Sequence, residues 1–415
     1  MNDSTNSIEL ESANVVYDIR KSLSNPVKLA NLQDLLQMGL GWFLNGEKIS
    51  PSSRLLYPFV DQPVKVAWLP WAEEVRRLLP SDYLPEMAKV STAELAEFLT
   101  RGYKWLIQGM ENETNVLSSN GQKQFRLQLF DEALYRKHQS ALSPILDLWA
   151  YANRYLTTFT YGVYLHGSMS TLDYVAGSSD VDALVIVNRT TLTSARRLLA
   201  LRRRLIHTFR WFYAIDPFQH HGYFVLTEFD LANFDDALFP SAVLTYATTI
   251  SGHQDIQLRY RSVCRDATIP FRKMAGMFRR SEAKLRPLPN WFEVKLYLQS
   301  MLLLPTLYLQ ALGKPVYKRD SFPLVKPQVP GSIWAIVRKG SDIRNLGWKK
   351  SILTNFLQKI VIYMPSPWIL EIVCRRLSKR VPATVSQILG GNWRKEILDL
   401  VNYLVDDLAR RGVET

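Results

Sequence analysis

Only two cysteines, Cys264 and Cys374, occur in the 415 residues, and they lie far apart. A disulfide framework is thereby excluded, and each thiol reads as a buried hydrophobe in a reducing cytoplasm. Long apolar runs are missing too. The nearest candidate for a membrane span, Ile360–Cys374, is broken by Pro365 and Pro367 and carries Glu371. The first residues, MNDSTNSIELES, are polar and acidic and have no signal-peptide core. The sequence therefore predicts a cytoplasmic chain without a membrane span. Low-complexity tracts, long disordered runs and internal repeats are absent. Acid is scarce relative to base: 38 acidic against 51 basic residues give a net charge of +13. That balance implies an anionic partner, such as nucleotide, nucleic acid or membrane surface, without choosing among them.

What is present suffices for a sizeable core, with 47% hydrophobic and 12% aromatic residues in a chain long enough for two or three domains. The first dozen residues read as a disordered tip. Helices are predicted from there to about residue 125. Leu29, Leu32, Leu35 and Leu36 recur at helical spacing, and Asn45-Gly46 closes that helix. Trp68–Trp71 opens an amphipathic run, and Ser91 to Glu94 forms a capping box for the next helix. The polar stretch Glu111–Gln122 marks a boundary. Phe125 to about Phe159 reads as helical, interrupted at Pro144. After the central strands, Leu198, Leu201, Leu205, Phe209 and Phe212 form one apolar stripe of a helix over Thr193–Ile215. Arg196, Arg197, Arg202, Arg203, Arg204 and Arg210 occupy its other faces and offer either a solvated surface or an anion site. A third strand is predicted over His220–Leu226, a helix over Ser241–Ile250, and a second basic stretch over Arg272–Arg286. Pro287 and Pro289 mark the next boundary. Beyond it come a dense apolar helix capped by Asn290 and kinked at Pro305, a proline-rich connector over Pro315–Pro330, and helices around Ile352–Met364, Ile369–Arg380 and Trp393–Arg410. The expected fold class is α+β: a small mixed sheet in a core spanning residues 125–286, between helical regions at 1–124 and 287–415.

The stretch that carries chemistry is GVYLHGSMSTLDYVAGSSDVDALVIV, Gly162–Val187. Val163–Leu165 and Ala183–Val187 are apolar runs rich in β-branched and aromatic residues, as buried strands require. Gly167-Ser168 is a small-residue turn. Asp180 and Asp182 stand two apart, so in a strand both carboxylates project to one face, and no neighbouring residue in sequence neutralises them. Paired carboxylates repel unless a cation lies between them, and Mg²⁺ shared with a substrate phosphate is the usual partner. The alternative is a β-hairpin with two solvated aspartates.

Leu165-His166-Gly167-Ser168 followed about a dozen residues later by Asp180-Val181-Asp182 on an apolar strand resembles the nucleotidyltransferase superfamily with the DNA polymerase β-like fold. The resemblance covers about 25 residues. It implies transfer of an NMP from an NTP to a hydroxyl acceptor with release of pyrophosphate. Mg²⁺, or Mn²⁺, would be held by Asp180 and Asp182, while Gly167, Ser168 and Ser179 would approach the nucleotide and Lys318 or Lys314 the triphosphate. The family normally adds a third carboxylate from a later strand. Here that strand contains no acid, and His221, then Glu228, then Asp230 are the candidates for the missing ligand. His166 reads as either a phosphate contact or a core histidine. The acceptor is left open: a small molecule, a protein or an RNA end. Two further readings remain, a catalytically impaired nucleotide-binding protein on the same fold and a basic nucleic-acid-binding protein.

Overall fold

The computed structural model describes residues 25–46, 53–55, 64–66, 68–79, 91–112, 121–137, 142–175, 179–216, 219, 221–283, 291–345 and 383–414. The fold is mixed α+β and mostly helical. In chain order the elements are α1 (Asn25–Leu44), β1 (Ser53–Leu55), β2 (Val64–Val66), α2 (Trp68–Arg77), α3 (Thr92–Asn112), β3 (Gln122–Arg126), β4 (Gln128–Leu129), α4 (Glu132–Lys137), α5 (Ser143–Tyr155), β5 (Thr160–His166), α6 (Gly167–Thr171), β6 (Asp182–Val187), α7 (Arg189–Leu192), α8 (Ala195–Ile215), β7 (Phe224–Thr227), α9 (Glu228–Ala232), β8 (Thr248–Gly252), β9 (Asp255–Arg259), α10 (Ile269–Ala283), α11 (Trp291–Met301), α12 (Leu304–Ala311), α13 (Lys318–Val325), α14 (Gly331–Asn345), α15 (Ala383–Leu389) and α16 (Trp393–Arg410).

Five strands form the central sheet in the order β4-β8-β5-β6-β7. β5 runs antiparallel to both β6 and β8, and β6 runs parallel to β7. The runs Val163–Leu165 and Ala183–Val187 are fully buried because the sheet is covered on both faces. Val163, Leu165, Ala183, Val185, Val187 and Val225 join a large cluster with α1, α3, α5 and α8. Tyr164, Leu184, Ile186 and Leu226 join a smaller one with Phe125, Phe234 and Ile256. The large cluster also takes in α11, α12, α14 and α16, so the segments expected to part near residues 124 and 287 share one buried apolar core.

Helix α8 buries Leu198, Leu201, Leu205, Phe209 and Phe212, the stripe its spacing predicts, and Ser194 caps it by accepting from the Arg197 amide. The capping box forms as expected: the Ser91 amide donates to Glu94 Oε2 at 2.9 Å and the Glu94 amide to Ser91 Oγ at 3.2 Å. Asn45 does more than end α1. Its Oδ1 accepts from the Tyr223 amide at 2.7 Å and its Nδ2 donates to the Tyr223 carbonyl at 2.9 Å, pinning the chain that enters β7.

Several expectations fail. Phe125–Leu129 is strand, not helix, because β3 pairs antiparallel with β9 and β4 joins the sheet edge beside β8. The helix expected over Ser241–Ile250 is a 3₁₀ turn, Ser241–Tyr246, and β-branched Thr248, Thr249 and Ile250 lie in β8. The third strand starts at Phe224 rather than His220. The apolar C-terminal helix is two helices, α11 and α12, with Pro305 in the first turn of the second, where its missing N–H costs nothing. The stretch Pro315–Pro330 is not a connector: it folds as α13 and a 3₁₀ turn despite Pro323. The helices expected over Ile352–Met364 and Ile369–Arg380, like Asn290, lie outside the described residues. Among the described residues, no helix is long and apolar enough to cross a membrane.

Candidate functional site

β5 ends at His166, and the chain turns at Gly167 with φ +65°. That left-handed backbone suits glycine. Crowding demands glycine as well: a Cβ there would overlap Asp182 Oδ2 and stand 3.0 Å from its Cγ. The short helix α6 follows and is closed by Leu172 at φ +57°, the single non-glycine residue with positive φ among the described residues. Strain of this kind persists only where the surroundings enforce it.

Asp182 opens β6 directly opposite His166, so both side chains leave the same face of the sheet. Asp182 Oδ1 lies 3.1 Å from His221 Nε2, and both side chains are half-buried. The other ring nitrogen of His221 lies 2.9 Å from the Gly222 carbonyl. Burial alone would lower the pKa of His221. The hydrogen bond to Asp182, the charges of Asp182 and Asp180 and the Gly222 carbonyl instead raise it to about 9. Burial would raise the Asp182 carboxyl, but the His221 hydrogen bond and the two imidazoles bring it below its ordinary value. His166 goes the other way. Burial pushes it down to about 4, and its Nε2 is buried without a hydrogen-bond partner among the described residues. The ring is therefore neutral at neutral pH.

Asp180 lies just before β6 and is buried. Lys295 of α11 reaches it: Nζ is 2.9 Å from Asp180 Oδ1 and 2.6 Å from Asp216 Oδ2, with the three side chains 1%, 7% and 0% exposed. Burial would lower the Lys295 ammonium, yet the two carboxylates hold it well above its ordinary value. Burial holds Asp216 raised, against Lys295 and reinforced by Asp180. Gln219 fixes the backbone between the two aspartates. It accepts from the Val181 amide at 2.9 Å and donates to the Val181 carbonyl at 3.1 Å and to the His221 carbonyl at 2.9 Å. Asp180 and Asp182 thus have different immediate partners, Lys295 and His221, while the charge of each acts on His221 and on Lys318.

Lys318, the first residue of α13, is half-buried beside this group. Burial and Arg344 lower its ammonium to about 8, against the opposing pull of Asp182, Asp180 and Asp173. Tyr317 next to it is raised to about 12 by burial and by the charge of Asp182. Phe224, 37% exposed, provides an aromatic wall, with its ring centroid 5.1 Å from His166 and 5.2 Å from His221.

Other residues singled out in the sequence lie elsewhere or are occupied. Glu228 and Asp230 follow the far end of β7: Glu228 accepts from the Arg189 amide, and Asp230 completes a capping box with Thr227 and takes Gln33 Nε2 at 2.7 Å. Ser179 is buried, and its hydroxyl oxygen accepts from the Val175 amide at 3.0 Å, closing the loop before Asp180. Ser168 is half-buried at the start of α6, and Lys314 is exposed. His220, Gly177 and Ser178 fall outside the described residues. The α8 arginines mostly fasten the helix to its neighbours. Arg197, Arg202 and Arg204 donate to the carbonyls of Thr158, Phe43 and Tyr155, and Arg210 stacks 4.6 Å from the Trp211 ring. Arg196 and Arg203 remain exposed. In the second basic stretch, Arg272 pairs with Asp266 and Arg279 with Asn402.

Sequence reasoning passed over Lys295, Asp216, Gln219 and Arg344. A signal existed for the first, since Lys295 is a lone cation inside a dense apolar helix. Among the described residues, no group of three or more His, Cys, Asp or Glu side chains forms a ready-made metal cage. No family model, curated protein or solved structure matches the chain.

Proposed function

We propose that this protein is a metal-dependent nucleotidyltransferase, moving an NMP from an NTP onto a hydroxyl acceptor with release of pyrophosphate. The observation that carries the reading is the packing of Gly167 against the Asp182 carboxylate, whose charge, with that of Asp180, also acts on Lys318 of the C-terminal region. A tight turn beside an acid, with a cation within electrostatic reach, is what a triphosphate with its metal needs. Mg²⁺ commonly takes one or two carboxylates and completes its shell with phosphate and water, so Asp182 can seat it without a preformed cage. His221, which lies just before β7, would ligate a metal only after giving up the proton it holds against Asp182. When bound, the metal supplies charge neutralisation at the reacting phosphate and a more acidic acceptor hydroxyl.

In this reading the chain's own residues bind and orient. Gly167 lets the turn pack directly against the Asp182 carboxylate, and Ser168 offers the phosphates an amide and a hydroxyl. Lys318 and Arg344 neutralise the non-reacting phosphates. His221, charged at neutral pH, keeps Asp182 ionised and aimed. Gln219 fixes the spacing of the two aspartates.

A second reading is favoured by one observation. Asp180 is held by Lys295, and no acid from β7 lies beside Asp182. A site so arranged would bind nucleotide without turning it over. Incubation with each α-labelled NTP and Mg²⁺ or Mn²⁺ decides. Pyrophosphate release that disappears in Asp182→Asn supports transfer. Nucleotide-induced thermal stabilisation without release supports binding alone, and neither signal rejects both.

A further inference from the structure

Lys295 is a cation already fixed on one of the two aspartates. Two-metal sites for phosphoryl and nucleotidyl chemistry share a carboxylate between the ions, and each ion neutralises part of the transition-state charge. Here the Oδ1 of Asp180 lies 2.9 Å from the Lys295 ammonium, which Asp216 also holds at 2.6 Å, and the three groups are buried. An ammonium cannot leave such a place cheaply: a buried charge stripped of its partners is strongly penalised. A dication approaching Asp180 beside it would meet like-charge repulsion in a poorly solvated setting. Asp182 is different. It packs against the Gly167 turn, and both it and its partner His221 are partly exposed, at 28% and 24%.

We infer that Lys295 stands where other sites of this chemistry keep a second metal ion, so that the site takes a single divalent cation, on Asp182, with each nucleotide. The inference rests on the nucleotide-binding reading above. Asp216 is the second counter-ion of the ammonium, at 2.6 Å, and helps to fix it on Asp180. Lys295 acts through Asp180 and is a positioning residue rather than a catalytic one.

Mn²⁺ titration of the full chain with saturating α,β-methylene nucleoside triphosphates (an equimolar mixture of the four bases) tests this. The readouts are equilibrium dialysis and electron paramagnetic resonance. One Mn²⁺ per bound nucleotide, with the spectrum of an isolated ion, is expected. Two Mn²⁺ per nucleotide with a spin-coupled spectrum would overturn the single-ion inference and leave the nucleotide reading standing. No nucleotide-dependent Mn²⁺ uptake at all would overturn both. Lys295→Met, if folded by circular dichroism, is expected to take up a second, spin-coupled Mn²⁺. A folded variant that still binds one ion would also overturn the role of Lys295. Should that variant fail to fold, the wild-type stoichiometry alone decides.

Discussion

Gly167 and Asp182 are so closely packed that no side chain fits between them: a Cβ on residue 167 would overlap Oδ2 of the aspartate. Backbone conformation adds to this, because φ is +65° at Gly167. Gly167→Ala is therefore expected to cost about 1–2 kcal/mol in stability from the left-handed backbone. It should also displace the Asp182 carboxylate and weaken metal-dependent nucleotide binding by roughly tenfold or more, which is about 1.4 kcal/mol. Chemical denaturation measures the first effect and nucleotide-induced thermal stabilisation in Mn²⁺ the second. Nucleotide binding as tight as in the wild type would refute the placement of the triphosphate at this turn.

The Asp180–Lys295–Asp216 group makes a prediction that holds whatever the protein does. Removing the ammonium leaves two buried carboxylates facing each other, and breaking a buried pair from one side costs about 3–5 kcal/mol. Lys295→Ala should lower the unfolding free energy by that order in urea. The triple change Asp180→Asn, Asp216→Asn, Lys295→Met should recover a substantial part, since replacing all the charges removes the desolvation penalty as well. Strictly additive losses would mean that the three residues do not act as a unit.

The two histidines beside Asp182 should bracket a window of maximal stability. His221 is raised from 6.5 to about 9 in the folded chain, so its contribution is complete below pH 6.5 and is lost as pH rises through 9. His166 is lowered from 6.5 to about 4, so its contribution is complete above pH 6.5 and is lost as pH falls toward 4. The stability profile is expected to fall on both sides. His166→Gln should flatten the acid limb and His221→Gln the alkaline limb. NMR titration of the two rings gives the same answer directly. A ring at position 221 that loses its proton near 6.5 would show that the pair with Asp182 contributes nothing.

Much of this site was legible because its parts are local. A Gly-Ser turn after one apolar run and the second Asp of Asp-x-Asp opening another are placed by strand pairing, as His166 opposite Asp182 demonstrates, whereas Asp180, expected beside Asp182 on the strand, precedes β6 and is held by Lys295. The stripe of α8 was equally plain, since a helical period needs no tertiary information. What stayed hidden came from far along the chain. Nothing near Asp180 announces Lys295, and nothing in a run of arginines tells that Arg197, Arg202 and Arg204 turn back onto carbonyls of neighbouring segments. Phe125–Leu129 was misjudged for the same reason: β3 is a strand because β9 pairs with it across the chain. The proline-rich stretch misled differently. Pro315, Pro323 and Pro330 suggest a connector, yet Pro323 lies inside α13, the helix that begins with Lys318.

Lys318 gives the last prediction. Its ammonium is lowered to about 8, by burial first and then by Arg344, while the aspartates oppose the shift. A triphosphate favours the charged form, so binding should be strongest below pH 8 and weaken as pH rises above it. The Lys318 variants distinguish this step from the alkaline limb of His221 near 9. Lys318→Arg keeps the charge across this range and should abolish the change in affinity near pH 8. Lys318→Met should weaken binding at neutral pH and flatten the same step. Titration calorimetry of an α,β-methylene nucleotide in Mn²⁺ from pH 6.5 to 9, on the wild type and both variants, reads the effect. An identical pH step in wild type and Lys318→Met would assign the titration to another group and remove Lys318 from the phosphate site.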